Sequence, residues 1–239
     1  MIYSKIIVNI LNFFDYFQQK KIIKFFKKNI KNEKILFDIG SHFGETVKLF
    51  NSNFKLKEFH CFEASPLNFK ILSQNIDKYN FKIIYKLNNF GIGSNNEDNF
   101  LNQTKESSSS TINELNLNSK YFKKKLKILN VKKKENFYEK IPIKLVTLDY
   151  YITNKNQKKI DILKIDTEGF ELNVIKGLKK THNIIKYIYF EHHYDDMIKK
   201  NYTFRDINYI LKKFGFKKVF KSKMIFRKSF EYIYENSHL

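Results

Sequence analysis

Five short runs rich in β-branched and aromatic residues, Ile35–Ile39, Glu58–Phe62, Lys82–Lys86, Ile160–Ile165 and Lys186–Glu191, are separated by segments that read as helix or turn. The helical stretches are Glu45–Asn51, Pro66–Tyr79, Phe170–Lys176 and Phe204–Lys213. Strands alternating with helices are joined by crossovers, so they pair in parallel and carry helices on both faces of one sheet. Local punctuation agrees. Ser65 is placed as a helix N-cap with Pro66 at the first helical position, and Gly215 follows the stretch that ends near Phe214. The tail, Lys217–Tyr234, reads as two further strands that form an antiparallel hairpin at the sheet edge: Phe216–Phe220, then Phe230–Tyr234 or Met224–Arg227.

Two segments depart from this rhythm. Residues 1–34 read as an amphipathic helical extension: Ile6, Ile7, Ile10, Leu11, Phe13, Phe14 and Phe17, then lysines around Ile22, Ile23, Phe25 and Phe26. Ile6 to Phe14, the longest uncharged run there, is far short of the roughly 20 residues a membrane span needs. Asp15 after it, and no small-residue cleavage site, fit a signal peptide poorly. The reading is a helix packed on the domain; its alternative is an interfacial helix on an anionic membrane. Residues 94–140, with Ser107–Ser110, Thr111 and then a Lys/Asn-rich run, read as an insertion over the carboxyl edge of the sheet within a domain spanning 35–239, with one helix expected at Tyr121–Asn130.

Composition limits the classes further. In 239 residues there is one cysteine, Cys61, so neither an internal disulfide nor a multi-cysteine zinc site is open to the chain. With 45 basic and 24 acidic residues the formal net charge is +21, but only Arg205 and Arg227 are arginine. Arginine is the better bidentate reader of phosphate. The lysine excess therefore reads as a compositional drift over solvated faces, with attraction to an anionic surface second. Absence of disulfides and targeting signals points to the cytoplasm, with membrane association as the alternative.

Only seven glycines are present, and two stand directly after the first strand, in Asp38-Ile-Gly-Ser-His-Phe-Gly44. A strand, a glycine turn and a helix start form a nucleotide-binding corner. In dinucleotide sites a middle glycine lets the backbone approach a pyrophosphate; here His42 stands there. That argues for a ligand without phosphate, such as S-adenosylmethionine, whose ammonium Asp38 would serve directly or through water. Glu63 ends the second strand 25 positions after Asp38, near the spacing of a ribose-binding acid. After the third strand, Asn88-Asn-Phe-Gly-Ile-Gly93 offers Phe90 to adenine and Asn88 or Asn89 to its edge.

The fourth strand runs into Lys164-Ile-Asp-Thr-Glu-Gly-Phe-Glu171. Asp166, Glu168 and Glu171 cluster around its exit turn, and Lys164 shares a face with Asp166. The fifth strand ends in Glu191-His-His193. Glu191 and His193 share a face, and His193 is a candidate general base.

Together these segments resemble the FkbM-type family of S-adenosylmethionine-dependent methyltransferases, over roughly Ile35 to His193. ILFDIGSHFGET is similar to the family's first motif, where Asn is common at the place of His42. FHCFEASP resembles its acidic ribose motif, and Ser107–Ser110 its short serine element. Thr147-Leu-Asp149 is similar to its TLD segment, LKIDTEGFE to its K-I-D-x-E-G-x-E signature, and Glu191 with His193 to its Glu-x-His strand end. The resemblance implies a Rossmann-like class I methyltransferase fold with a mostly parallel seven-stranded sheet. It implies S-adenosyl-L-methionine as cofactor, held by Asp38, Gly40, His42, Phe43, Gly44, Glu63, Ala64, Asn89, Phe90 and Asp166. It implies O-methyl transfer to a hydroxyl of a sugar, glycan or small metabolite. Asp166 or His193 would orient or deprotonate the acceptor, and Glu168 and Glu191 would position it. A metal-assisted variant on these hard ligands ranks lower; no metal site is assigned.

Three rivals remain. A nucleic-acid methyltransferase suits the charge, but base-amino enzymes of this fold carry an Asp/Asn-Pro-Pro-aromatic motif where this chain has KIDTEGFE; a ribose-methylating RNA enzyme stays open. A nicotinamide oxidoreductase needs the missing glycine. A catalytically silent module, held on a membrane or partner by residues 1–30, is the non-enzyme alternative.

Overall fold

A computed structural model describes residues 17–32, 34–79, 81–128, 137–224 and 228–239. The strands are β1 (Lys34–Ile39), β2 (Leu56–Phe62), β3 (Ile84–Asn88), β4 (Gly91–Ile92), β5 (Glu97–Thr104), β6 (Tyr138–Val146), β7 (Ile160–Ile165), β8 (Ile185–His193), β9 (Phe216–Lys223) and β10 (Ser229–Asn236). The helices are α1 (17–29), α2 (Glu45–Asn51), α3 (Pro66–Tyr79), α4 (Lys120–Ile128), α5 (Leu148–Asn154), α6 (Glu171–Lys176) and α7 (Phe204–Lys213).

Seven strands form the main sheet in the order β3-β2-β1-β7-β8-β10-β9. The pairs from β3 to β8 are parallel, and β10 runs antiparallel to both β8 and β9. All six residues of β1 are buried, as a strand covered on both faces requires. Its side chains alternate between two cores: Phe37 and Ile39 join Leu163, Ile165 and Phe190 on one face. Leu36 joins Ile162, Tyr187 and Tyr189 on the other.

The second face is closed by α1, which buries Ile22, Ile23 and Phe26 in that core, with Ile30 just beyond its end. The Phe26 ring lies 5.8 Å from Tyr187 and 6.0 Å from Phe50. Each such side chain contributes about 1.5–3 kcal/mol when buried, so this helix shares the domain's core. Residues 1–16, the rest of the expected amphipathic extension, lie outside the described residues. Among the described residues no helix is long and apolar enough to cross a membrane.

Three elements differ from expectation. The third strand runs Ile84–Asn88 rather than Lys82–Lys86, because pairing with β2 sets its register, with Asn88 opposite Phe62. The tail forms the expected hairpin, but β10 inserts between β8 and β9, leaving β9 at the edge; residues 225–227 of the alternative Met224–Arg227 strand are not described. The 94–140 region is more regular than it reads. β5 pairs antiparallel with β6 and, with β4, forms a second sheet. Polar residues fill much of both strands, so apolar alternation does not announce them. The helix expected at Tyr121–Asn130 is α4, and residues 129–136 are not described. Its Phe122 and Leu126 pack with Phe137, Met197 and Ile198 in a third, small core.

Candidate active site

The carboxyl ends of β1, β2 and β7 meet at one rim, and a cavity of about 300 Å³ opens there. Its first wall is the turn after β1. Gly40 has φ +82°, and a Cβ there would fall 1.9 Å from the Asp166 backbone oxygen. Only glycine lets the two strand ends approach this closely. Three non-glycine residues on the cavity wall also sit in the left-handed region, His42 (φ 48°), Ser107 (φ 61°) and Glu168 (φ 48°). Such backbone strain collects at functional sites.

His42 ties this wall together. Its N–H donates to Glu63 Oε2 at 2.8 Å, and its ring contacts Glu45 Oε1 at 3.0 Å and Ser107 Oγ at 2.6 Å. Glu63 is buried at the end of β2, and its other oxygen accepts from the Ser65 N–H at 2.9 Å. Burial pushes its carboxyl up to about 7. Ser65 caps α3 as expected, its Oγ accepting from the Asn68 N–H at 3.2 Å. Phe62, Ala64, Ile92, Leu101 and Ile112 make an apolar wall beside Glu63.

The second wall is the exit of β7. Lys164 reaches Asp38 Oδ1 at 3.1 Å and Asp166 Oδ2 at 3.3 Å. Burial works against its ammonium, yet those two charges carry its pKa above the ordinary lysine value. Glu168 lines the cavity, and burial raises its carboxyl to about 7. Glu171 turns the other way. Its oxygens accept from the Gly169 N–H at 2.7 Å and the Tyr202 hydroxyl at 2.5 Å, so it holds the turn and is not part of the cavity wall. The serine-rich loop docks on this turn, with Thr111 Oγ1 donating to the Glu168 carbonyl at 2.7 Å.

Several expected site residues stand off the wall. Asp38 is fully buried beneath Lys164. The ammonium next to it is therefore the chain's own lysine. Phe43 stacks on His42 at 3.7 Å, and Gly44 is the N-cap of α2. Asn89 donates to the Glu63 carbonyl at 2.9 Å, and Phe90 packs on Phe62 at 5.9 Å; both brace the β2 end from behind. The TLD segment is likewise a brace: Thr147 caps α5, and Asp149 accepts from Thr181 N–H at 2.9 Å and Oγ1 at 2.7 Å.

His193 sits behind Glu168 and Glu191. Its Nε2 lies 3.5 Å from Glu168 and 3.6 Å from Glu191, and its Nδ1 lies 3.6 Å from Asp195. Although burial opposes the charge, these carboxylates raise its pKa to about 10. As an imidazolium His193 has no lone pair to accept a proton, and it lies against both glutamates. Among the described residues no group of three or more His, Cys, Asp or Glu could hold a metal ion.

Sequence reasoning missed a third wall, made by Gln18, Gln19 and Ile22 of α1, Tyr189 of β8, Met224, and Glu231 of β10. The signal for Glu231 was a lone acid inside the apolar run Phe230–Tyr234. Among the described residues six carboxylates line the cavity (Glu45, Glu63, Asp166, Glu168, Glu191 and Glu231) against one lysine, in a chain of net charge +21.

A mostly parallel seven-stranded sheet with an inserted antiparallel strand, and a glycine turn facing an acid at the next strand end, define a Rossmann-like S-adenosylmethionine-dependent methyltransferase. The family described as Methyltransferase FkbM domain matches residues 38–218, and the chain belongs to it. No curated protein matches the sequence.

Solved structures show the same fold at low identity. The FkbM methyltransferase of Methylobacillus flagellatus KT is 15% identical with a TM-score of 0.53, over 87% of this chain and 45% of that one. This chain therefore spans less than half of that relative. TrmK of M. capricolum, solved with S-adenosylhomocysteine, is 13% identical with a TM-score of 0.51, over 92% of this chain and 68% of that one. An S-adenosylmethionine-dependent methyltransferase of Aquifex aeolicus is 12% identical with a TM-score of 0.50, over 91% and 89%.

The residues present fit the cofactor. The Glu63 carboxyl accepts from two backbone N–H groups and the Asn68 side chain and keeps acceptor capacity for a ribose hydroxyl. The apolar wall of Ile92 and Leu101 adjoins it.

Proposed function

We propose that the protein transfers a methyl group from S-adenosylmethionine to a hydroxyl of a sugar, glycan or small metabolite. The observation that carries this reading is the acid-lined cavity in a lysine-covered protein. A phosphate-rich acceptor would meet repulsion from Asp166, Glu168 and Glu191 at the reacting end, which ranks an RNA acceptor lower. A neutral hydroxyl meets acceptors for its proton.

Glu63 and the Gly40–His42 turn hold the donor's ribose, and Ile92 and Leu101 flank its adenine. Bound there, S-adenosylmethionine supplies a methyl group made electrophilic by its sulfonium. Glu168 takes the acceptor hydroxyl's proton, since its raised pKa lies near the working range of a general base. Asp166 and Glu191 orient the acceptor, and His193 fixes the two glutamates. Alignment of this kind is worth about 7–11 kcal/mol in favourable cases.

The test uses methyl-labelled donor with sugars, glycans and RNA offered separately. Label in sugar hydroxyls, abolished in Glu168→Gln, is the expected result. Label in RNA alone would overturn the acceptor class. Failure of the wild type to bind S-adenosylhomocysteine by calorimetry would leave the silent module as the better reading.

A further inference from the structure

Much of the third wall of the cavity is built by residues outside the segment that matches the family: Gln18 on one side of it, and Met224 and Glu231 on the other. The polar groups there are not satisfied. Gln18 is 2% exposed and its amide faces the Glu231 carboxyl, yet neither its Nε2 nor its Oε1 makes a well-formed hydrogen bond among the described residues. Glu231 is 5% exposed; Tyr189 donates to its Oε1, but its Oε2 has no partner there. Glu231 stands directly opposite Glu191 across the β8/β10 pair, and Glu191 Oε1 is also without a hydrogen bond. Like charges directly opposed in a sheet destabilise it, and each buried polar group left unpaired costs folding free energy. A fold keeps such an arrangement when a ligand completes it.

We infer that Gln18, Glu191 and Glu231 form the acceptor subsite and that it takes a polyhydroxylated ring. The inference deepens the proposed reading and rests on it. The chemistry selects the ligand. The subsite offers a donor, the Gln18 amide N–H, beside acceptors on Gln18, Glu191 and Glu231, none of them held by a well-formed hydrogen bond at the atoms concerned. An ammonium brings donors only, so in engaging Glu231 it competes with the Gln18 amide N–H for that carboxyl and offers the amide no acceptor in return. A phosphate brings acceptors only and faces two carboxylates. A hydroxyl both donates and accepts, and a ring with several hydroxyls answers all three side chains at once. Gln18 and Glu231, outside the family segment, then act with Glu191 inside it to set which sugar is accepted.

The experiment uses the full chain, with S-adenosylhomocysteine present, and a panel of methyl glycosides of common hexoses and deoxyhexoses. Saturation-transfer NMR reads sugar contact, calorimetry reads donor-product affinity, and thermal unfolding reads stability. In Gln18→Leu and Glu231→Gln the affinity of the bound sugar falls at least tenfold, S-adenosylhomocysteine affinity stays within twofold, and Tm holds or rises. Rising stability with falling sugar affinity separates a ligand-facing group from a structural one. Unchanged sugar affinity in both variants overturns the assignment. So does a falling Tm with unaltered sugar contact, or a wild type that shows contact with spermidine and none with any glycoside. Loss of S-adenosylhomocysteine binding by the wild type would sink the methyltransferase reading instead, and the sugar contacts would still be measured without it.

Discussion

The two ends of the cavity are built to different standards. At the donor end, both Glu63 oxygens are engaged by backbone N–H groups, His42 bonds through its backbone and both ring nitrogens, and the turn closes on Gly40. At the acceptor end, Gln18, Glu191 and Glu231 each keep a buried polar atom without a well-formed hydrogen bond among the described residues. The first is what a site for one invariant ligand requires, because preorganised groups lose nothing when it binds. The second trades stability for recognition, and two of its three residues, Gln18 and Glu231, lie outside the shared family segment.

The comparison breaks most visibly at Gly40. In Gly40→Ala the new methyl group meets the Asp166 carbonyl and the φ of +82° becomes strained. Overpacking of this kind costs about 3 kcal/mol, a fall in Tm of about 6–12 °C. Donor affinity and transfer are both lost, as calorimetry and labelled turnover would record. A variant with normal Tm and donor affinity would show that the two strand ends need not be this close.

The next effect is confined to the acceptor end. Glu168→Gln lowers the transfer rate by about 10²–10⁴-fold with donor affinity unchanged, the range general bases contribute. The base is the ionised form, and burial holds its carboxyl at about 7. Transfer in the wild type therefore climbs about tenfold per pH unit up to about 7 and levels above it. The variant's residual rate lacks that limb. A pH–rate profile with the same limb in both proteins would move the base elsewhere.

Much of the fold is legible in the sequence because β1, β2, β7 and β8 are apolar runs with sharp ends, and their register follows from parallel pairing. Asp166 and Glu63 fall where strand ends place them. The orientation of individual side chains is not legible in the same way. Glu171 and Glu168 differ by three positions on one tight turn, yet one faces Tyr202 and the other the cavity. Asn89 and Phe90 have the residue types expected around adenine, but pairing of β3 turns them onto the back of β2. Gln18 and Glu231 lie 213 positions apart, and only the insertion of β10 beside β8 brings them to one wall. Long-range closure of this sort leaves no local periodicity to read.

Within the donor end, a smaller loss comes from Glu63→Ala. Charge-assisted hydrogen bonds are worth about 1.5–3 kcal/mol, so S-adenosylhomocysteine affinity falls about 10–100-fold. Sugar contact at Gln18 and Glu231 is retained. If calorimetry returns the wild-type affinity, Glu63 does not hold the ribose, and the contrast between the two ends loses its first term.

The smallest effect sharpens the contrast by showing where the donor end stops. Glu45 pairs with His42 at 3.0 Å, but its side chain is 60% exposed. Exposed pairs contribute between zero and about 1 kcal/mol, and His42 keeps its Ser107 contact and its backbone bond to Glu63 without it. Glu45→Gln therefore changes S-adenosylhomocysteine affinity by less than about fivefold, and raising salt erases part of that difference. A loss as large as that of Glu63→Ala would mean that the rigidity of the glycine turn depends on an exposed charge, and that the buried network through Glu63 and Ser107 is not what holds His42 in place.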